Sequence, residues 1–512
     1  MDCLFIAPRI SRATYQELAD TYTAIETPTW SLLLAESCRS IGYDVGILDM
    51  NAERLSDEEM IRRIEDAEPR LICFPVYGSN PNSGSLMMGD AIHLAGVIKY
   101  FICDYPICFV GSHMSALPYD VLNNHQEIDL ILTNEGVYAL RNLLGNELDV
   151  NRLHELKHVK GLGLRDENGV AFLTEPEQIV PQEKMDEDLP GYAWDLLPYD
   201  ERPLDMYRSH FFHAEYKHEK RTPFAALYTS LGCMFKCSFC MINILNKDDN
   251  DPIGVASNYA KMRFWSPEFI IKEFDKLYEM GVRTIRISDE MFLLNRKYYV
   301  PLCELLKERG YGKHLNMWVY SRIDTINDKS NLKLLRDAGI RMVALGIESA
   351  DKTVRLEVTK GKFEDVNIVD VINKCREHGI EPTGNYIFGL PGDTYESMIK
   401  TLQMSMELNT TVWNAYTAMP LPGSALYKEA RDNNHPLPKN YNDWSFFSPN
   451  LEPLPTATLT SQDILEFRDQ AWTEYHTNPK FLYTIEQKYG KIARENIEKM
   501  AEIKLKRRLL EE

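Results

Sequence analysis

Phe224-Ala225-Ala226-Leu227-Tyr228-Thr229-Ser230-Leu231-Gly232-Cys233-Met234-Phe235-Lys236-Cys237-Ser238-Phe239-Cys240 decides how the chain is read. Its first half is a short apolar run of the kind that forms a buried strand. Its second half packs three thiols into eight residues immediately after that strand. Downstream, strand and helix signals alternate. Ser266-Pro267 opens a helix that carries Ile270, Phe274 and Leu277 on one face and ends at Gly281. Strands are expected over 284–288, 316–320, 341–347, 384–388 and 412–418. Helices between them cover 298–309, about 330–338, 364–377 and 394–408. Such βα units build an incomplete parallel (β/α)6 barrel, whose chemistry belongs at the carboxyl ends of its strands.

Three soft thiolates on one loop suit iron and sulfide, one at each of three corners of a cubane 4Fe–4S cluster. A structural zinc site closes with four ligands, and no fourth cysteine or histidine pair is adjacent. His210 and His213 precede the loop, but isolated histidines near aromatic residues more often pack or contact substrate. Three ligands leave one iron open, which serves an enzyme better than a scaffold.

Cys-x3-Cys-x2-Cys with Phe239 before its last cysteine resembles the signature of the radical S-adenosylmethionine (SAM) superfamily. The resemblance implies a cluster on Cys233, Cys237 and Cys240 whose open iron chelates SAM, followed by one-electron cleavage to a 5′-deoxyadenosyl radical. It extends to Ser288-Asp289-Glu290, where either Asp289 or Glu290 faces the SAM ammonium, to Arg322 facing the SAM carboxylate, and to Glu348. Gly389-Leu390-Pro391-Gly392 ends the fifth strand, with Gly389 as a SAM contact. The competing reading makes these carboxylates helix caps and the glycines tight turns.

Residues 1 to 148 alternate strand and helix in a doubly wound, Rossmann- or flavodoxin-like pattern, with strands over 3–7, 45–48, 71–76, 108–110 and 129–132. Thr27-Pro28 reads as an N-cap followed by proline at the first helical position. This domain resembles the cobalamin-binding domain that precedes many radical SAM barrels. The resemblance rests on Thr27-Pro28-Thr29-Trp30, Tyr77-Gly78-Ser79-Asn80-Pro81, Val110-Gly111-Ser112-His113 and Asn134-Glu135-Gly136. It implies cofactor contacts at Thr27, Tyr77, Gly78, Ser79, Gly111, Ser112, His113, Glu135 and Gly136. Many cobalamin domains carry Asp-x-His-x-x-Gly; here Asn51 follows Asp49, so cobalt is not expected to take a histidine from this motif. His113 is expected to cap a helix rather than to replace that ligand.

Residues 149 to 222 read as a linker containing a hairpin over 161–173, residues 223 to 427 as the barrel, and residues 428 to 512 as a mainly helical region. The 512 residues carry a net charge of −19, and the only dense basic run, 504–508, reads as a solvated helix end. Nucleic acid, whose binding needs a basic footprint, is not expected. No signal peptide or membrane span is visible, and seven cysteines outside the triplet read as free thiols, so a reducing cytoplasm is expected. Tyr207, Phe211, Phe212, Tyr228, Phe264 and Trp265, with Trp413 and Tyr416, are candidates for a substrate pocket. The resemblance implies methylation of an unactivated carbon in a small molecule, with a flavodoxin or ferredoxin as electron donor. Cyclisation, rearrangement or redox chemistry is the alternative, and a non-catalytic sensor a more remote one.

Overall fold

The computed structural model describes residues 1–199, 206–209, 222–246, 255, 259, 261–361, 363 and 365–511. His210, His213, Phe211 and Phe212 lie outside them.

The amino-terminal sheet is built from β1 (Cys3–Ala7), β2 (Val45–Asp49), β3 (Leu71–Pro75), β4 (Ile107–Val110) and β5 (Leu130–Leu132), all parallel in the order β2-β1-β3-β4-β5. Their apolar runs are buried on both faces, as a helix-covered parallel sheet requires. Chain order reverses between β1 and β3, and such a switch point opens a crevice at the carboxyl ends of the strands. The hairpin expected over 161–173 forms, as β6 (Leu162–Arg165) and β7 (Ala171–Leu173), but it is no free-standing linker. Ile131 and Leu132 pair antiparallel with it, so it extends the same sheet to seven strands.

Thr27 does not cap the following helix, which runs Thr29–Arg39 with Pro28 at its N-cap. Its hydroxyl donates to the Ala226 carbonyl and accepts from the Ala226 amide, both at 2.9 Å. A residue read as a local cap therefore ties the first domain to the edge of the second.

That second sheet holds six parallel strands: β8 (Phe224–Leu227), β11 (Thr284–Ile287), β12 (Asn316–Arg322), β13 (Ile340–Glu348), β14 (Glu381–Phe388) and β15 (Trp413–Thr417), in spatial order β15-β14-β13-β12-β11-β8. A small antiparallel pair, β9 (Ser230–Leu231) and β10 (Arg263–Phe264), stands beside it. The monotonic order and curl make a half-barrel, with helices on its outer face. Their starts are set locally: Ser266 accepts from the Phe269 amide, and Thr394 and Ser397 cap each other. Helices Ser461–His476, Pro479–Tyr489 and Lys491–Glu502 follow, the first packing against the β15 edge. Among the described residues, no helix is long and apolar enough to cross a membrane.

Candidate active site

The carboxyl ends of β1, β2 and β3 face the half-barrel across one cavity of about 1310 Å³. This exceeds the roughly 300–1000 Å³ that ordinarily holds one small ligand. Both domains line it, and helix Ser461–His476 and the segment 500–511 close it.

The three cysteines reach this cavity from the loop after β9, each half-buried. The loop is pinned at several points. The Ser238 amide donates to the Val358 carbonyl (2.9 Å), the Leu426 amide to the Ser238 carbonyl (3.0 Å), and the Met241 amide to Asn82 Oδ1 of the first domain (2.9 Å). Burial pushes the Cys233 thiol up to about 12 and the Cys237 thiol to about 11. Thiolates in this setting need a compensating positive charge, which bound iron provides. Among the described residues, no three His, Cys, Asp or Glu side chains converge on one point as ligands of a single ion do. Thiolates on three separate irons need not converge.

Asp289 and Glu290 follow one another in sequence but face opposite ways. Asp289, fully buried, accepts from the Thr229 amide (2.5 Å), the Thr229 hydroxyl (2.6 Å) and the Ser230 hydroxyl (2.6 Å). It clamps the chain leaving β8, and is absent from the cavity wall; its expected contact with SAM is corrected to this clamp. Glu290 lines the cavity without a hydrogen-bond partner among the described residues, and burial pushes its carboxyl up to about 8.

Glu348 also lines the cavity. It ends β13 at φ +64°, a strained conformation for a side chain of this size, where the ladder to β14 shifts register. Burial raises its carboxyl to about 7, against the attraction of nearby Arg322. The Arg322 guanidinium is paired to Asp324 and lies 3.7 Å from the Phe235 ring centroid, inside the cysteine loop. Phe239 lines the cavity and packs against the apolar cluster that includes Val354, Val358 and Leu390. Gly389 does not reach it: at φ +76° it turns tightly beneath Ile464, 2.7 Å from the position a Cβ would take. The tight-turn reading therefore replaces the expected SAM contact.

On the other wall, Thr27, Tyr77, Gly78 and Ser79, expected as cobalamin contacts, line the cavity. Five other expected contacts do not. Gly111 packs against the Val76 carbonyl, 2.3 Å from its absent Cβ, and Gly136 opens a helix at φ +78°. Ser112 and His113 lie within a short buried helix, Ser112–Ala116, with Gly111 as its N-cap. His113 Nδ1 meets Ser85 Oγ at 2.8 Å, its ring stands edge-on to Tyr441, and burial lowers its pKa to about 3. It is a neutral core side chain rather than a helix cap. Glu135 forms a bidentate ion pair with Arg263 of β10 at 2.6 and 3.1 Å and accepts from the Val180 amide at 2.6 Å. Short polar residues after strands look alike in sequence whether they face a ligand or brace a neighbouring element.

One residue escaped sequence reading. Arg286, an arginine inside a barrel strand, donates to Glu26 and, at 2.6 Å, to the Ser79 carbonyl of the first domain. Its guanidinium lies 4.9 Å from the Tyr320 ring. An unusual charge within the run Thr284-Ile285-Arg286-Ile287 was the available signal. Of the remaining aromatic candidates, Trp413 and Tyr416 line the cavity; Tyr207 is buried against Asp49, and Tyr228 and Trp265 sit in the core.

Residues 227–405 match the radical SAM superfamily. An uncharacterized methyltransferase of Pyrococcus horikoshii is 26% identical over 441 residues, 86% of either chain. An anaerobic magnesium-protoporphyrin IX monomethyl ester cyclase of Cereibacter sphaeroides is 23% identical over 86% of this chain and 65% of that protein. Among solved structures, the radical SAM methyltransferase TsrM of Kitasatospora setae, with cobalamin and a [4Fe-4S] cluster bound, superposes with a TM-score of 0.61 at 18% identity, over 85% of this chain and 78% of that one. The cobalamin-dependent SAM radical enzyme OxsB superposes with a TM-score of 0.58 at 16% identity, over 85% of this chain and 56% of that one. Residues 227–405, which hold most of the half-barrel and the cysteine loop, are thus a radical SAM domain. The open α/β sheet ahead of the half-barrel gives this chain the same overall fold as TsrM and OxsB.

Proposed function

We propose that the protein is a cobalamin-dependent radical SAM methyltransferase acting on an unactivated carbon of a small molecule. The observation that carries this reading is the shared cavity. Three loop thiols, two carboxylates without a hydrogen-bond partner among the described residues and the switch-point end of an α/β sheet border one space larger than a single ligand needs.

In this reading Cys233, Cys237 and Cys240 hold the cluster, Glu290 faces the SAM amino group, and Arg322 and Glu348 border the rest of that ligand. When bound, the cluster supplies the electron that splits SAM into methionine and a hydrogen-abstracting 5′-deoxyadenosyl radical, and cobalamin supplies the methyl group. The chain's own task is to orient and to exclude water. A carboxyl kept neutral by burial, as at Glu290, accepts a ligand's amino group more readily than it tolerates a solitary charge. Tyr77, Gly78, Ser79 and Thr27 border the cobalamin side. Asn51 turns its Oδ1 to the Ile10 amide at 3.3 Å, and the only histidine among the described lining residues, His476, belongs to the carboxyl-terminal helix. Both facts support cobalt without a histidine from the first domain. A flavodoxin or ferredoxin is the proposed electron source.

Anaerobic reconstitution with iron, sulfide and hydroxocobalamin tests the reading by absorbance and EPR spectra, with and without SAM. Reduced enzyme should release 5′-deoxyadenosine, and label from methyl-labelled SAM should enter product. The cyclase relatives favour a second reading, in which both cofactors are used without methyl transfer. Release of 5′-deoxyadenosine with unlabelled product would establish it. A triple Cys-to-Ala variant that still binds cluster iron and releases 5′-deoxyadenosine would overturn both.

A further inference from the structure

Alternate residues of the barrel strands point inward, and one inward row crosses four strands in register: Arg322 beside Gly346, Gly346 beside Asn385, and Asn385 beside Asn414. Arg322 and Glu348 fall to SAM in the reading above. The two asparagines have no part in it, although both line the cavity.

Their hydrogen bonds fix the direction of both amides. The Leu345 backbone carbonyl is only an acceptor, so Asn385 presents its amino group there, Nδ2 to O at 3.2 Å. The Asn385 carbonyl then accepts from Asn414 Nδ2 at 2.9 Å. Asn414 Oδ1 is left at the end of this relay, turned to the cavity and without a partner among the described residues. Each bond polarises the next, which strengthens the terminal oxygen as an acceptor. Aromatic rings lie nearby. Tyr416 lies on the same inward face and packs against Phe446 with ring centroids 4.7 Å apart and planes tilted by 45°, and Tyr320 lines the same cavity.

We infer that Asn414 Oδ1 is a substrate-recognition acceptor, and that the substrate carries an N–H or O–H donor on a flat, largely apolar ring. An amide oxygen held in place selects strongly for such a donor, because a ligand lacking it leaves the oxygen buried and unpaired. Asn385 is the positioning residue that aims it. The inference rests on the cavity being the reaction chamber, but its test does not require turnover.

Matched probes are indole and 1-methylindole, alike in ring and unlike in the N–H. They are titrated by calorimetry into the reconstituted enzyme loaded with SAM, while SAM affinity is measured separately. Wild type is expected to bind indole about tenfold more tightly than 1-methylindole. Asn414→Leu should bring the two within about twofold, with SAM affinity unchanged, and Asn385→Leu should fall between. Equal binding of both probes by wild type overturns the inference, and needs no variant to fold. So does a variant that keeps the preference. Loss of SAM affinity in Asn414→Leu would assign the amide to SAM instead. Failure of wild type to bind SAM at all would strike the proposed function, whereas the same titration of the reconstituted enzyme without SAM would still read the preference for indole.

Discussion

Glu135 offers the sharpest test of a site residue that the structure reassigned. Its side chain and that of Arg263 are only 5% and 4% exposed, and they meet through two hydrogen bonds. Glu135 also accepts from the Val180 amide, while Arg263 donates to the Val180 carbonyl at 2.6 Å. Glu135→Ala leaves a guanidinium buried with one carbonyl, and an amide without an acceptor. Losing one partner of a buried pair costs about 3–5 kcal/mol. The retained bond to Val180 argues for the middle of that range, about 4 kcal/mol. Replacing both, as Glu135→Leu with Arg263→Met, removes the stranded charge and should recover most of the loss, leaving about 1–2 kcal/mol for the amide. Urea denaturation followed by tryptophan fluorescence reads the midpoints, and hydroxocobalamin uptake is measured on the folded fraction. A Glu135→Ala stability within about 1 kcal/mol of wild type, together with lost cobalamin uptake, would return Glu135 to the cofactor and refute its role as the brace to Arg263.

His113 should govern part of the acid limb. Burial depresses its folded pKa to about 3, so the folded state takes up its proton later than the unfolded chain. Stability is therefore full above the unfolded value of about 6.5 and declines as pH falls from there toward about 3; His113→Gln should flatten that limb by a few kcal/mol in pH-dependent urea titrations and leave the cobalt spectrum unchanged. Asp49 works in the opposite sense. Its pKa is raised to about 6, chiefly by burial, so stability falls as pH rises between about 4 and 6, by at most about 3 kcal/mol, and Asp49→Asn should abolish the slope. Glu26→Gln strands Arg286, which is 5% exposed, whereas Arg286→Leu strands Glu26, which is 20% exposed and can rehydrate. The first should therefore lower the urea midpoint more, and a double-mutant cycle should return a coupling of about 1–3 kcal/mol; additivity would show that the latch contributes nothing. Gly389→Ala should cost about 1–2 kcal/mol from its φ of +76° and the contact with Ile464, with SAM affinity retained.

Much of this architecture was readable one residue at a time. Val-, Ile- and Leu-rich runs bounded by turn residues gave the strands, and the cysteine loop could be located because its chemistry is local. What could not be read is which way a polar side chain leaves the end of a strand. Asp289 and Glu290 are equivalent in sequence, yet one faces the Thr229–Ser230 turn and the other the cavity. Glu135, His113 and Gly111 resemble ligand contacts because bracing two elements and holding a cofactor call for the same small or polar residue types. Asn385 and Asn414 acquire meaning only through strand register, which unites positions 29 residues apart, and Arg286 only through its bonds to Glu26 and Ser79, more than two hundred residues away.

The three donors that converge on Asp289 have a further consequence. They anchor the take-off point of the thiol-bearing loop to the rigid wall of the half-barrel rather than to the loop itself. A cluster held by that loop, as proposed, would keep its place as its charge changes, so little nuclear rearrangement would oppose each electron's arrival. Weakening that mount should show first as heterogeneity in the centre's spectrum, while its iron content stays intact.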